Sequence, residues 1–168
     1  LDLTRNLTPL TAKIDTLPVF GDTYIPSGLL WAWNVLDPRA PYTTAKSLAD
    51  LQSIGGKKVI VLMTDGINWL VPRFRDGVYL GPNDAEVRPD WRDGTKLNAL
   101  TGRLCENVKA SGILIYTVLF DVKDKGVEDL FRSCATTPAM SYRAESSQDL
   151  LKAFDDIGLA LAQVRIMQ

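Results

Sequence analysis

The run "VIVLMTDG" (59–66) constrains the fold of this chain more than any other stretch. Five apolar residues in a row fit a strand covered on both faces, and such strands belong to parallel sheets with helical crossovers. The strand then delivers a threonine, an aspartate and a glycine straight into a turn. Ligands of open parallel sheets bind at the carboxyl ends of the strands. Asp65 is therefore either a residue that only shapes the turn or a carboxylate held there to bind something.

The rest of the chain alternates strand and helix patterns around that run. A short extended piece is expected at 7–10 and a brief helix at 12–17. A helix at 27–36 follows the tight entry marked by Pro26 and Gly28, with Leu29, Leu30, Trp33 and Leu36 as its stripe. "DPRAP" breaks it, and a short helix at 45–53 ends at Gly55-Gly56. The central strand covers 58–64. A helix at 96–111 carries Leu97, Leu100, Leu104, Cys105 and Val108 on one face, and Gly112 caps it. A buried strand at 113–120 comes next, then a short helix with Val127, Leu130, Phe131 and Cys134 on one face. A weak edge strand fits 140–143. The last helix opens at Ser146 or Ser147, with Leu150, Leu151, Phe154, Ile157, Leu161 and Val164 as its stripe. The order implies an α/β fold, a Rossmann-like and mostly parallel sheet with helices on both faces. At 168 residues, with 46% hydrophobic and 23% charged positions, the chain suits a single domain.

Composition narrows the chemistry. There is no histidine, which removes the commonest general base and the commonest zinc ligand. With only two cysteines as well, any bound metal must be held by oxygens, which favours Mg²⁺, Mn²⁺ or Ca²⁺. A net charge of -1 and the lack of a basic groove argue against nucleic acid as a partner. No stretch is long and apolar enough to span a membrane. The chain opens on Leu1 rather than methionine, so it reads as a processed product or an excised fragment.

The segment at about 67–94 is long and irregular, as functional loops often are. Its Trp69 and Trp91 are either anchors for a protein partner or pins that hold the loop to the domain. Its acids Asp84, Glu86, Asp90 and Asp93 follow no ligand pattern and read as solvated loop charges. Thr23, in "DTYIPSGL", lies just before a helix. Its hydroxyl is either an oxygen ligand or an ordinary helix-entry group satisfying a backbone N–H.

Together "GDTYIPSGL" and "KKVIVLMTDGIN" resemble the von Willebrand factor A domain. That family builds a metal-ion-dependent adhesion site from a D-x-S-x-S loop, a loop threonine and an aspartate after a later strand. The resemblance implies Thr23 and Asp65 as metal positions, with Ser27 and Asn68 in support. Over almost the whole chain, "LTPLT", "TYIPSGLLWAWNVLDPRAP", "LCENVKASGILIYTVLFDV", "LFRSCATTP" and "AFDDIGLALAQVRI" are similar to the C-terminal half of TadG-type proteins of the Flp (tight-adherence) pilus assembly system. Those proteins have a membrane anchor and a von Willebrand A-like part outside the inner membrane. The resemblance thus implies a periplasmic or cell-surface location, pilus or envelope proteins as partners, and an anchor in the precursor.

One departure qualifies the match. D-x-S-x-S is absent, and "DLTRN" (2–6) lies only about seventeen residues before Thr23. A helix and two strands do not fit in that space at about 1.5 and 3.3 Å per residue. The chain is expected to lack the first strand, the first helix and the second strand of the full fold, and to hold two of three metal loops. Cys105 and Cys134 are either two buried free thiols or one disulfide; the resemblance, in which both recur outside the inner membrane, implies the disulfide. The leading expectation is a non-enzymatic binding module. A structural scaffold with a vestigial metal site, or a metal-dependent hydrolase using Asp65, are the alternatives.

Overall fold

The computed structural model describes residues 3–4, 6–17, 23–69, 74–75, 78–79 and 94–163. Helix α1 (Leu7–Ile14) begins at Asn6, whose Oδ1 accepts the Thr8 N–H at 3.1 Å. Helix α2 (Ile25–Leu36) holds Pro26 in its first turn, where a missing N–H costs nothing. Helix α3 (Leu48–Gln52) is capped by Ser47, whose Oγ accepts the Asp50 N–H at 3.1 Å.

Strand β1 (Val59–Thr64) follows, then a two-stranded ladder of β2 (Phe74–Arg75) and β3 (Val78–Tyr79). Helix α4 (Gly94–Ala110) leads to β4 (Leu114–Phe120). Helix α5 (Lys125–Cys134) starts at Asp124, whose Oδ1 accepts the Val127 N–H at 2.9 Å. A 3-10 turn (Pro138–Met140) precedes β5 (Ser141–Ala144). Helix α6 (Ser147–Gln163) opens with a reciprocal cap: Ser146 Oγ accepts the Asp149 N–H, and Asp149 Oδ2 accepts the Ser146 N–H.

The main sheet has the order β1-β4-β5, and both pairings are parallel. Val59 lies beside Leu114 and Thr64 beside Leu119, so the carboxyl ends of β1 and β4 form one rim. Helices α2, α4 and α5 pack on one face around Leu29, Ile60, Leu62, Val108, Ile115 and Phe131. Helix α6 packs on the other, over Tyr116, Val118 and Tyr142. The buried ammonium of Lys58 donates to the Leu36 carbonyl, a cation at the carboxyl end of α2. Cys105 of α4 and Cys134 of α5 form a disulfide, with Cα atoms 5.2 Å apart. No helix among the described residues is long and apolar enough to cross a membrane.

Several expectations need correction. Residues 7–10 are helical rather than extended, because Asn6 supplies a cap and Pro9 falls in the first turn, where its lack of an N–H is tolerated. Helix α2 starts two residues before Ser27. Helix α3 is shorter than 45–53, because the Ser47 cap sets its start. Among the described residues, strand β1 is not covered on both faces. It ends the sheet among the described residues, and α6 lies over β4 and β5, so Val61 (38% exposed) and Met63 (40% exposed) face outward. In α4, Leu100 is exposed and Thr101 is the buried residue. In α6, Ala153 and Ile157 meet the sheet, while Leu151 and Phe154 are exposed. Trp91, Val164 and the acids Asp84, Glu86, Asp90 and Asp93 lie outside the described residues.

Gly112 adopts φ +82°, and a Cβ there would sit 2.5 Å from Leu48 Cδ2. Gly112→Ala is expected to destabilise the chain by about 1–2 kcal/mol from the left-handed backbone alone. Urea unfolding checks this, and an unchanged midpoint would contradict the turn geometry.

Candidate cation-binding rim

Two chain segments meet at the carboxyl end of β1. The first is the turn after the strand. Thr64 Oγ1 lies 3.3 Å from the Gly66 N–H and accepts from it, and donates to the Gly66 carbonyl at 3.1 Å. This local hydroxyl closes the turn and leaves the Asp65 side chain on the surface. Among the described residues the Asp65 carboxylate has no hydrogen-bond or ion-pair partner. The turn is shaped by Thr64, not by Asp65, which answers half of the question the strand poses.

The second segment is the entry to α2. A Cβ built on Gly66 would stand 3.2 Å from Thr23 Oγ1, so the Thr23 hydroxyl lies directly against the Asp65-Gly66 turn. That approach is open because residue 66 carries no side chain. The Thr23 hydroxyl and the turn that carries Asp65 thus meet although they come from different loops. The segments are tied by backbone and side chain alike. The Trp69 N–H donates to the Thr23 carbonyl at 2.8 Å, and Asn68 Oδ1 accepts the Ile25 N–H at 3.1 Å.

Asn68 is 1% exposed, and its amide is fully used inside the fold. Its Nδ2 donates to Asn98 Oδ1 at 2.8 Å and to Thr101 Oγ1 at 3.1 Å. Ser27 sits in the first turn of α2, half-buried, and lines a groove of about 430 Å³ with Tyr24, Leu30, Leu100 and Arg103. That groove runs between α2 and α4. Trp69 is 45% exposed beside the rim. Asn98 and Thr101 escaped the sequence reading, since polar residues within a helix carry no periodic signal of their own.

A hydroxyl and a free carboxylate are suitable donors for a hard divalent cation, which often keeps several waters and few protein ligands. Among the described residues no group of three or more His, Cys, Asp or Glu side chains comes together. The rim therefore carries one exposed carboxylate, Asp65, on the turn that the Thr23 hydroxyl approaches.

No sequence family and no curated protein matches the chain. Solved structures do. The pilus adhesin SpaC of Lactobacillus rhamnosus GG is similar with a TM-score of 0.61 at 15% identity, over 92% of this chain and 21% of that one. Proximal thread matrix protein 1 of the mussel byssus, with a zinc-occupied MIDAS motif, gives 0.50 at 18% identity, over 98% of this chain and 31% of that one. This chain spans less than a third of the length of either. At such identities the likeness is one of fold: the chain is α/β and von Willebrand A-like, with a parallel sheet and helices on both faces.

Proposed function

We propose that this chain is a non-enzymatic adhesion and assembly module of the bacterial cell envelope, of the kind the TadG-like sequence words imply. It would act on the outer side of the inner membrane, with pilus or envelope proteins as partners. The observation that carries this reading is the packing of the Thr23 hydroxyl on the Asp65-Gly66 turn. Two loops distant in sequence meet at the strand rim, where ligands of such sheets bind. Support also comes from the solved neighbours, one a pilus adhesin and one a matrix protein whose MIDAS motif holds zinc.

A divalent cation at this rim would supply a positive charge able to accept a carboxylate of a partner. Thr23 would hold it through its hydroxyl and Asp65 through its carboxylate, directly or through water. Among the described residues no strand pairs with the outer edge of β1, which bears on how the site is completed. A strand laid parallel along that edge would end level with Asp65, at a spacing of about 4.8 Å. Two donors alone predict weak binding.

Calorimetric titration with Mg²⁺, Mn²⁺ and Ca²⁺ tests the reading. A Kd on the order of millimolar is expected for the unaltered chain, as for weak extracellular sites. Asp65→Ala should abolish the heat of binding and Thr23→Val should weaken it, with unfolding midpoints unchanged. No cation uptake by this chain or by a longer form of the protein would leave only a scaffold. Turnover of a generic phosphoester that Asp65→Ala abolishes would instead favour a hydrolase.

A further inference from the structure

Asn68 lies in no helix or strand, yet it is as buried as the core leucines. A buried primary amide persists only where its polar atoms find partners. Here its two polar atoms reach two different helices. Oδ1 accepts from Ile25 N–H, in the first turn of α2, where the N-cap residue Tyr24 makes no side-chain cap bond. Asn68 therefore caps α2 from 43 positions away. Nδ2 reaches Asn98 and Thr101 of α4. Thr101 Oγ1 spends its own proton on the Leu97 carbonyl at 2.8 Å, which leaves it an acceptor for the amide and fixes the amide's orientation.

The next residue completes the brace. Trp69 N–H holds the Thr23 carbonyl while Asn68 holds the Ile25 N–H, so residues 68 and 69 clip 23 and 25 by consecutive bonds. Helix α4 begins at Gly94, where a Cβ would stand 3.4 Å from the Asn68 carbonyl oxygen. Both stems of the 70–93 segment thus meet at Asn68.

We propose that Asn68 is the positioning residue of the rim: it holds the Thr23 hydroxyl against the Asp65 turn and couples both to α4, where the 70–93 segment returns. Asn68 does not itself touch the cation. Its influence on cation affinity rests on the proposed function, but the brace can be read without it.

Amide hydrogen exchange and Mg²⁺ titration on the same samples test this. In Asn68→Ala the Ile25 and Trp69 amides are expected to exchange at least tenfold faster, while the Ile115 and Val118 amides of β4 keep their relative protection. The Mg²⁺ affinity should fall at least fivefold. Thr101→Val keeps the shape of the side chain and removes one acceptor. It should loosen the same two amides to a lesser degree, and it serves if the alanine variant does not fold. Unchanged Ile25 and Trp69 amides in a folded variant overturn the proposal. So does a uniform loss of protection across β4, which marks an ordinary core residue, or an unchanged Mg²⁺ affinity with both amides loosened. If the unaltered chain takes up no Mg²⁺, the cation reading falls, and the positioning role is decided by the Ile25 and Trp69 amides alone.

Discussion

Phe131→Ala is expected to cost about 3–5 kcal/mol of folding stability, as for aromatic truncations in well-packed cores. Phe131 is fully buried in α5, among the residues that join α2, α4 and α5 to the sheet. The cavity it leaves cannot close easily, because the backbone there is pinned twice. The Phe131 carbonyl accepts from Thr117 Oγ1 of β4 at 3.0 Å and from the Ala135 N–H at 3.1 Å. Domains of this size are stable by only about 5–15 kcal/mol, so the loss is a large fraction of the total. Urea unfolding should show a lower midpoint with an unchanged slope. A loss below about 1 kcal/mol would mean that α5 does not rest on β4 through this ring.

The sequence carried the strands and the α5 face because each is a periodic or continuous apolar signal. Val127, Leu130, Phe131 and Cys134 recur at helical spacing, and all four are buried. The same kind of signal misleads where neighbours decide. "VIVLM" reads identically whether or not a strand and a helix lie beside it, yet Val61 and Met63 are exposed because β1 ends the described sheet. In α6 the apolar positions are too many for one face. The small Ala153 lets the helix close onto Tyr116 and Val118, which turns Leu151 and Phe154 outward. Residues 7–10 read as an extended piece, whereas the Asn6 cap starts a helix there and makes Pro9 a first-turn proline.

At the rim, Thr23 and Asp65 were legible only through their likeness to a known motif. Nothing local joins two residues so far apart in sequence. The brace around Asn68 was illegible for the same reason. Its side chain bonds span 43, 30 and 33 positions, and a contact of that range leaves no pattern in any short window. Thr64 shows the opposite case. A hydroxyl one residue before Asp65 closes the turn by local bonds and so leaves the carboxylate free for another use.

Removing the Cys105–Cys134 bond is expected to cost about 3–4 kcal/mol, the loop-closure term for a separation of 29 residues. The bond fastens α4 to α5, both of which pack on the same face of the sheet. Both sulfurs are buried. A reductant therefore has to wait for the helices to open, and reduction in the folded state should be slow and should speed up as urea is added. A Cys105→Ala/Cys134→Ala chain is the cleaner comparison, since it removes the cross-link without new polar groups in the core. Its unfolding midpoint should fall well below that of the oxidised protein, and the oxidised protein in excess thiol should approach the same midpoint only after it has unfolded once. Non-reducing mass spectrometry fixes the starting state: two alkylatable thiols in protein made in an oxidising compartment would exclude the bond. Two other contacts remain when the bond is gone, the Lys109 ammonium on the Ser133 carbonyl at 2.6 Å and the buried Leu130 and Phe131. A loss below about 1 kcal/mol would show that these contacts hold α5 to α4 without the cross-link.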